Sequence, residues 1–72
     1  MAEGDRERLD TLLNYWIEHN REHADEFREW AEKAKGFAGV AVQGQLLEAA
    51  KQMDRANEFL LQAVEELKGE KR

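Results

Sequence analysis

The sequence predicts an all-α protein, an antiparallel hairpin of two helices over residues 5–35 and 42–68. Three observations support this fold class. The chain has no proline and is rich in strong helix formers such as Ala, Leu, Glu and Lys. Its apolar side chains recur at alternating spacings of three and four, which is the period of one helix face. A glycine-containing segment interrupts this period once, so the pattern indicates two helices joined by one connection.

The first helix is expected to begin at Asp5, whose carboxylate can cap the positive end of a helix, after a flexible leader over residues 1–4. Lys33 and Lys35 suit its last turn, and Gly36 is predicted to end it. Its apolar and weakly polar side chains share one predicted seam. That seam consists of Leu9, Leu13, Trp16, Asn20, His23, Phe27 and Trp30.

The second helix is predicted to start between Val40 and Gln45, after a connection of about eight residues, and to end near Lys68. The apolar segment 37–42 is expected to cover the end of the bundle, although it could also bind a partner. Residues 69–72 are expected to form a flexible tail. The seam of this helix consists of Leu46, Ala50, Met53, Asn57, Leu60, Val64 and Leu67.

Two matching seams predict that the helices pack along their whole length. The preferred register sets Asn20 against Asn57 in a polar layer, with Leu13 level with Val64. A register one turn longer would set His23 against Asn57, but it requires a longer connection and ranks second.

Apolar residues outside the two seams predict a further interface. Because these residues make the apolar arc too wide for one partner helix, and because a chain of 72 residues is near the lower size limit for a stable core, we expect a homodimer. Two hairpins would then pack as a four-helix bundle around a twofold axis. The residues outside the seams are Leu12, Ile17, Leu47, Phe59 and Leu61.

Composition excludes several classes of function. Sixteen acidic and eleven basic residues give a net charge of −5, which disfavours nucleic acid as a partner. The longest uncharged run, residues 36–47, is too short and glycine-rich to span a membrane. The absence of cysteine excludes disulfides, and without a secretory signal pattern the expected location of this single-domain chain, residues 1–72, is cytoplasmic.

A histidine pair suggests a metal site. His19 and His23 are four residues apart, so both imidazoles lie on one side of a helix within reach of a single metal ion. Glu26 continues that face, and Asp54 flanks the second seam at the same level. Nitrogen and carboxylate oxygen ligands suit a divalent transition metal such as zinc, nickel, iron or manganese.

The asparagines and histidines near the middle of the two seams have other possible roles. Asn20 and Asn57 could bind a small polar ligand beside the metal, with His23 more important than His19 because it lies on the seam. A buried Asn and His layer could instead only fix helix register. The chain would then be a purely structural module for protein association, with the histidines solvated or satisfied in the core.

His19-Asn20-Arg21-Glu22-His23 also matches H-x-x-E-H, the inverted zinc-protease motif. Such a protease needs a distant third ligand and a domain that holds substrate, and neither is expected in the residues that follow. We therefore interpret the match as coincidental and predict that the chain is not an enzyme.

The pattern W-I-E-H-N-x-E-H-x-x-E-F-x-x-W over residues 16–30, with Met53 and Asn57 in the second helix, resembles a family of short prokaryotic helical-hairpin proteins and domains. The resemblance extends from about Leu9 to Leu67. It implies the hairpin fold and draws attention to the histidine segment. It implies no reaction, because the family has no established activity.

Overall fold

The computed structural model describes residues 2–69 as two long helices in an antiparallel hairpin. Helix α1 spans Ala2–Phe37 and helix α2 spans Val40–Gly69. The hairpin measures 52 × 16 × 13 Å. Neither of the described helices is long and apolar enough to cross a membrane. The predicted all-α hairpin is confirmed, while Met1 and residues 70–72, both part of the predicted flexible ends, lie outside the described residues.

The connection is much shorter than predicted. It consists of Ala38 and Gly39, because α1 continues through Gly36 to Phe37 and α2 already begins at Val40. Helix α1 also begins earlier than predicted, before Asp5. The amides of Ala38 and Gly39 both donate to the Ala34 carbonyl, at 2.7 and 3.2 Å. Gly39 has φ 95°, a left-handed conformation that glycine adopts without strain, and its carbonyl accepts the Gln43 amide at the start of α2. Gly39 therefore ends α1 and caps α2.

The preferred register is confirmed by a hydrogen bond between the helices. The Asn20 amide nitrogen donates to the Asn57 side-chain oxygen at 3.0 Å. The midpoint between positions 20 and 57 falls between Ala38 and Gly39, so a two-residue turn at that point produces this register without any slippage. Leu13 and Val64 lie in one buried cluster, as the register requires.

The predicted seam of α2 is confirmed along its length. Ala50, Asn57 and Val64 are buried, and the four other seam positions are half-buried. These four are Leu46, Met53, Leu60 and Leu67.

The predicted seam of α1 is wrong at every second position. Ile17, Ala24 and Ala31 are buried, whereas Trp16, His23 and Trp30, each one residue earlier, are half-exposed or exposed. One residue corresponds to a rotation of about 100° around the helix. The reason is steric, because two helices 8–10 Å apart accept alanine between them more easily than tryptophan. Ile17, which the sequence placed off the seam, is 5% exposed.

Segment 37–42 does not cover the end of the hairpin at the described turn, contrary to the prediction. Phe37 and Val40 flank the connection and are 73% and 75% exposed. The short turn explains this, because it leaves no loop that could fold these side chains back over the helix ends.

Candidate functional site

Most of the large side chains that α1 does not bury form one row, while Leu12 and Tyr15 are exposed outside it. The members of the row recur at every seventh residue beside the contact seam, and four of the five are exposed while the central histidine is half-exposed. A period of seven is the spacing by which one helix packs against another along a coiled-coil seam. We call these residues, Leu9, Trp16, His23, Trp30 and Phe37, the aromatic row.

Helix α2 carries a second heptad row, made of small side chains. Its members, Val42, Ala49, Ala56 and Ala63, are here called the alanine row. Around α1, the aromatic row and Arg28 lie on opposite sides of the contact seam, and around α2 the alanine row and Asp54 do the same. Since Arg28 and Asp54 form an ion pair across one side of the hairpin, the two rows share the other side.

The two broad sides of the hairpin differ in charge. Neither the aromatic nor the alanine row contains a Lys, Arg, Asp or Glu, although these residues make up 38% of the chain. The corresponding row of α1 on the opposite side is polar throughout. It consists of Glu7, Asn14, Arg21, Arg28 and Lys35.

We call the side that carries these two rows the uncharged side after the rows themselves, although the Lys33 ammonium lies 4.6 Å from the centre of the Trp30 ring. The histidine pair lies at the middle of this side. The Nε2 atoms of His19 and His23 are 3.1 Å apart, with ring centroids at 4.5 Å and ring planes at 85°. The side chains are 46% and 40% exposed, so solvent reaches both rings. Tyr15 stacks on His19 and Phe27 stacks on His23, at centroid distances of 5.4 and 6.0 Å. The two flanking rings therefore extend the histidine pair into a column of four rings along α1.

Two glutamates face the other nitrogen of each imidazole. Glu22 Oε1 is 3.9 Å from Nδ1 of His19, and Glu26 Oε1 is 3.4 Å from Nδ1 of His23. A carboxylate beside Nδ1 favours a proton on that nitrogen, whereas the hydrogen bond between the two Nε2 atoms requires one of them to donate and the other to accept. In this arrangement Glu26 orients a ring instead of joining the Nε2 atoms.

The structure does not assemble all four predicted metal ligands. Asp54 pairs with the Arg28 guanidinium across the helices, and Arg28 also lies 3.4 Å from Asp25. Within residues 2–69, no group of three or more His, Asp or Glu side chains is arranged to hold a metal ion. Only His19 and His23 are brought together through their Nε2 atoms.

The two predicted ligand-binding asparagines use their amides within the chain. Asn57 is 7% exposed, accepts from Asn20 and donates to the Ile17 carbonyl at 3.0 Å. No buried side-chain nitrogen or oxygen among the described residues lacks a hydrogen-bond partner. This arrangement fits the register role, while a ligand-binding role for Asn20 and Asn57 stays a prediction.

Sequence reasoning missed the alanine row and the ring column through Tyr15. Tyr15, His19, His23 and Phe27 recur at every fourth residue, a spacing that brings rings together on one helix face. That spacing was available as a signal in the sequence. The alanine row carries a weaker signal, because alanine is common on every face of a helix.

The protein is therefore a helical hairpin whose two broad sides differ, one with the aromatic and alanine rows and the other with the polar row of α1. Residues 9–67 match a family model described as "Domain of unknown function (DUF8180)", so the chain belongs to that family. A relative called "Uncharacterized protein" from Archaeoglobus fulgidus is 36% identical over 59 residues, which cover 82% of this chain and 94% of the relative. No solved structure matches the chain.

Proposed function

We propose that the protein is a homodimeric helical module in which two hairpins pack through their uncharged sides into a four-helix bundle. The observation that carries the proposal is the exposed aromatic row, five side chains at heptad spacing without a charged member. A heptad row of this kind is the pattern by which a helix meets another helix, and α2 does not cover it. Its two tryptophans belong to the residue type most enriched at interaction hot spots.

The accessible surface of the hairpin supports a missing partner. A monomeric globular protein of 8.4 kDa has a surface of about 4600 Å². The hairpin exposes 5640 Å². The excess of roughly 1000 Å² is close to the area of about 800 Å² that each subunit of a stable complex buries.

The small hairpin core points in the same direction. Of the seven buried apolar residues, four are alanines, and no large side chain is fully buried among the described residues. Such a core stabilises a chain of this length only weakly. Covering two tryptophans per chain would add several kcal/mol at about 25 cal/mol per Å² of apolar surface.

Sedimentation equilibrium between about 1 and 100 µM tests the dimer, a range set by the micromolar affinity of weak specific complexes. We expect a dimer that dissociates on dilution, with tryptophan emission moving to longer wavelength as Trp16 and Trp30 become exposed. Trp30→Glu should abolish the dimer. Leu61→Glu is the matched control, because Leu61 is similarly exposed on the opposite side.

Two results would contradict the proposal. A folded wild-type monomer across the whole concentration range would rule out the homodimer and favour a module that binds another protein. Dissociation by Leu61→Glu with an unaffected Trp30→Glu dimer would place the interface on the charged side.

A second candidate function, binding of a divalent transition metal, is favoured by the distance between the two Nε2 atoms. Two nitrogens bound to one tetrahedral zinc ion at 2.0–2.1 Å lie about 3.3 Å apart. The observed 3.1 Å is close to that separation before any metal is placed. Glu22 and Glu26 would hold the rings, and the remaining coordination positions would be open to water or to another donor.

Native mass spectrometry with added zinc, nickel, iron or manganese tests the metal site. Because chelation needs both imidazoles, we expect His19→Ala and His23→Ala to abolish metal binding equally. Asp54→Asn is the matched control and should bind as the wild type does, since Asp54 pairs with Arg28. Equal metal content in the wild type and the three variants would show that the histidine pair does not bind metal and only forms a hydrogen bond between two rings. Cytoplasmic location and the absence of catalytic activity stay predictions from the sequence.

A further inference from the structure

We propose that the aromatic row of one subunit packs onto the alanine row of the partner subunit, so that each α1 lies over the α2 of the other copy. This inference rests on the proposed homodimer and specifies which helices and residues meet. It follows from three properties of the hairpin: the sizes of the side chains in the two rows, their heights along the helix axis, and the symmetry of a dimer.

Size complementarity favours this pairing. Two hairpins that stack through the same broad side have two symmetric choices, α1 over α2 or α1 over α1. When the twofold axis of the second choice is level with His23, Trp16 meets Trp30 of the partner subunit, and a distance of 8–10 Å between the helix axes does not accommodate two large side chains. The first choice sets the tryptophans against alanines, and large side chains facing small ones interdigitate at that separation.

The height of each residue along the helix axis identifies which side chains meet in this pairing. In the α1-over-α2 dimer the twofold axis runs parallel to the helices, so every residue keeps its height in the partner subunit. The register set by Asn20 and Asn57 then fixes the contacts between subunits. Each member of the aromatic row beyond Leu9 lies two residues, or about 3 Å, from the level of an alanine-row residue. The pairs are Trp16 with Ala63, His23 with Ala56, Trp30 with Ala49 and Phe37 with Val42.

The same packing accounts for Phe59, an apolar side chain that is 62% exposed in the hairpin. Phe59 lies beside the alanine row on the side away from the α2 seam. In the proposed dimer it lies within one residue of the level of His19 of the partner subunit, next to that subunit's aromatic row. No pair of like charges meets along these rows, because neither row is charged.

A pair of size-changing substitutions tests the geometry. Ala56→Trp should clash with His23 of the partner subunit, whereas His23→Ala leaves space at the same place. Both positions are at least partly exposed in the hairpin, so neither change threatens the fold, and circular dichroism confirms helicity. We expect Ala56→Trp alone to weaken the dimer at least tenfold.

Mixing the two variants gives the decisive measurement. In the heterodimer the tryptophan introduced by Ala56→Trp packs against the alanine introduced by His23→Ala at one contact. At the other contact the wild-type His23 and Ala56 meet. We expect native mass spectrometry to show the heterodimer as nearly all of the dimer, whereas random exchange gives about half. The double variant His23→Ala/Ala56→Trp should regain dimerisation, but Trp16→Ala/Ala56→Trp, whose space lies two turns away, should not.

The outcomes separate the geometry from the dimer itself. Random exchange with an intact Ala56→Trp dimer would overturn the α1-over-α2 pairing and leave the homodimer standing. A wild-type monomer by sedimentation would overturn both. Helicity retained in every variant with the heterodimer preferred would support the pairing.

Discussion

Two rows of α1 whose members are adjacent in the sequence have different surroundings in the fold. Ile17, Ala24 and Ala31 pack against α2, whereas the preceding residue in each case belongs to the exposed aromatic row. The buried row contains the smaller side chains and the exposed row the larger ones. The comparison teaches that close contact between two helices selects small residues, so the largest apolar residues of a helix do not by themselves mark its core.

The two rows are also expected to contribute to two different free energies, that of folding and that of association. Contacts of the buried row with α2 exist within one chain, whereas the dimer contacts proposed for the aromatic row require a second molecule. A substitution in one row should therefore change folding through packing, and a substitution in the other should change association. Neighbouring positions make this difference measurable with the same new side chain.

The largest expected effect is an opposite response of Ala24 and His23 to leucine. Ala24 is 1% exposed, so Ala24→Leu overpacks the helix contact and should lower the free energy of unfolding by about 1–3 kcal/mol. His23→Leu adds a better helix former to an uncharged row and should raise it by a few tenths of a kcal/mol or more. Urea unfolding followed by circular dichroism measures both. Equal losses in the two variants would mean that His23 also belongs to the packed contact.

The sequence was sufficient for the hairpin, the seam of α2 and the Asn20/Asn57 register. These features follow from helix period and from a polar residue at corresponding seam positions, which are local signals. The rotation of α1 was not predictable in the same way. Its apolar arc is wide enough for two seams, and the choice between Trp16 and Ile17 depends on how closely α2 approaches.

The predictions for the turn and for the metal ligands were incomplete for related reasons. Three glycines, Gly36, Gly39 and Gly44, look alike in the sequence, and only the backbone conformation shows that Gly39 alone is left-handed. The histidine pair was predictable from its spacing of four residues. The role of Asp54 was not, because its pairing with Arg28 depends on contacts across the helices.

The turn between α1 and α2 is expected to have the next largest effect. Gly39 has a positive φ, so Gly39→Ala should cost about 1–2 kcal/mol through backbone strain although no atom lies within 4 Å of the added methyl. Gly44 lies inside α2 with equally open space, and Gly44→Ala should instead stabilise the protein by up to about 1 kcal/mol. Thermal unfolding of the two variants checks the signs. A Gly39→Ala variant as stable as the wild type would show that position 39 does not need the left-handed conformation.

The smallest expected effect belongs to the polar layer, where the two helices meet through Asn20 and Asn57. A double-mutant cycle with alanine at both positions should give a coupling free energy of about 0.5–1.5 kcal/mol, the range for one hydrogen bond between neutral groups. Asn57→Ala alone should cost more than Asn20→Ala, because Asn57 also donates to the Ile17 carbonyl. Leucine at both positions should be neutral or stabilising, since no buried amide remains. Doubled amide signals in the NMR spectrum of that leucine variant would show that the asparagines select the register. A single set of amide signals, together with zero coupling free energy in the cycle, would assign the register to the Gly39 turn alone.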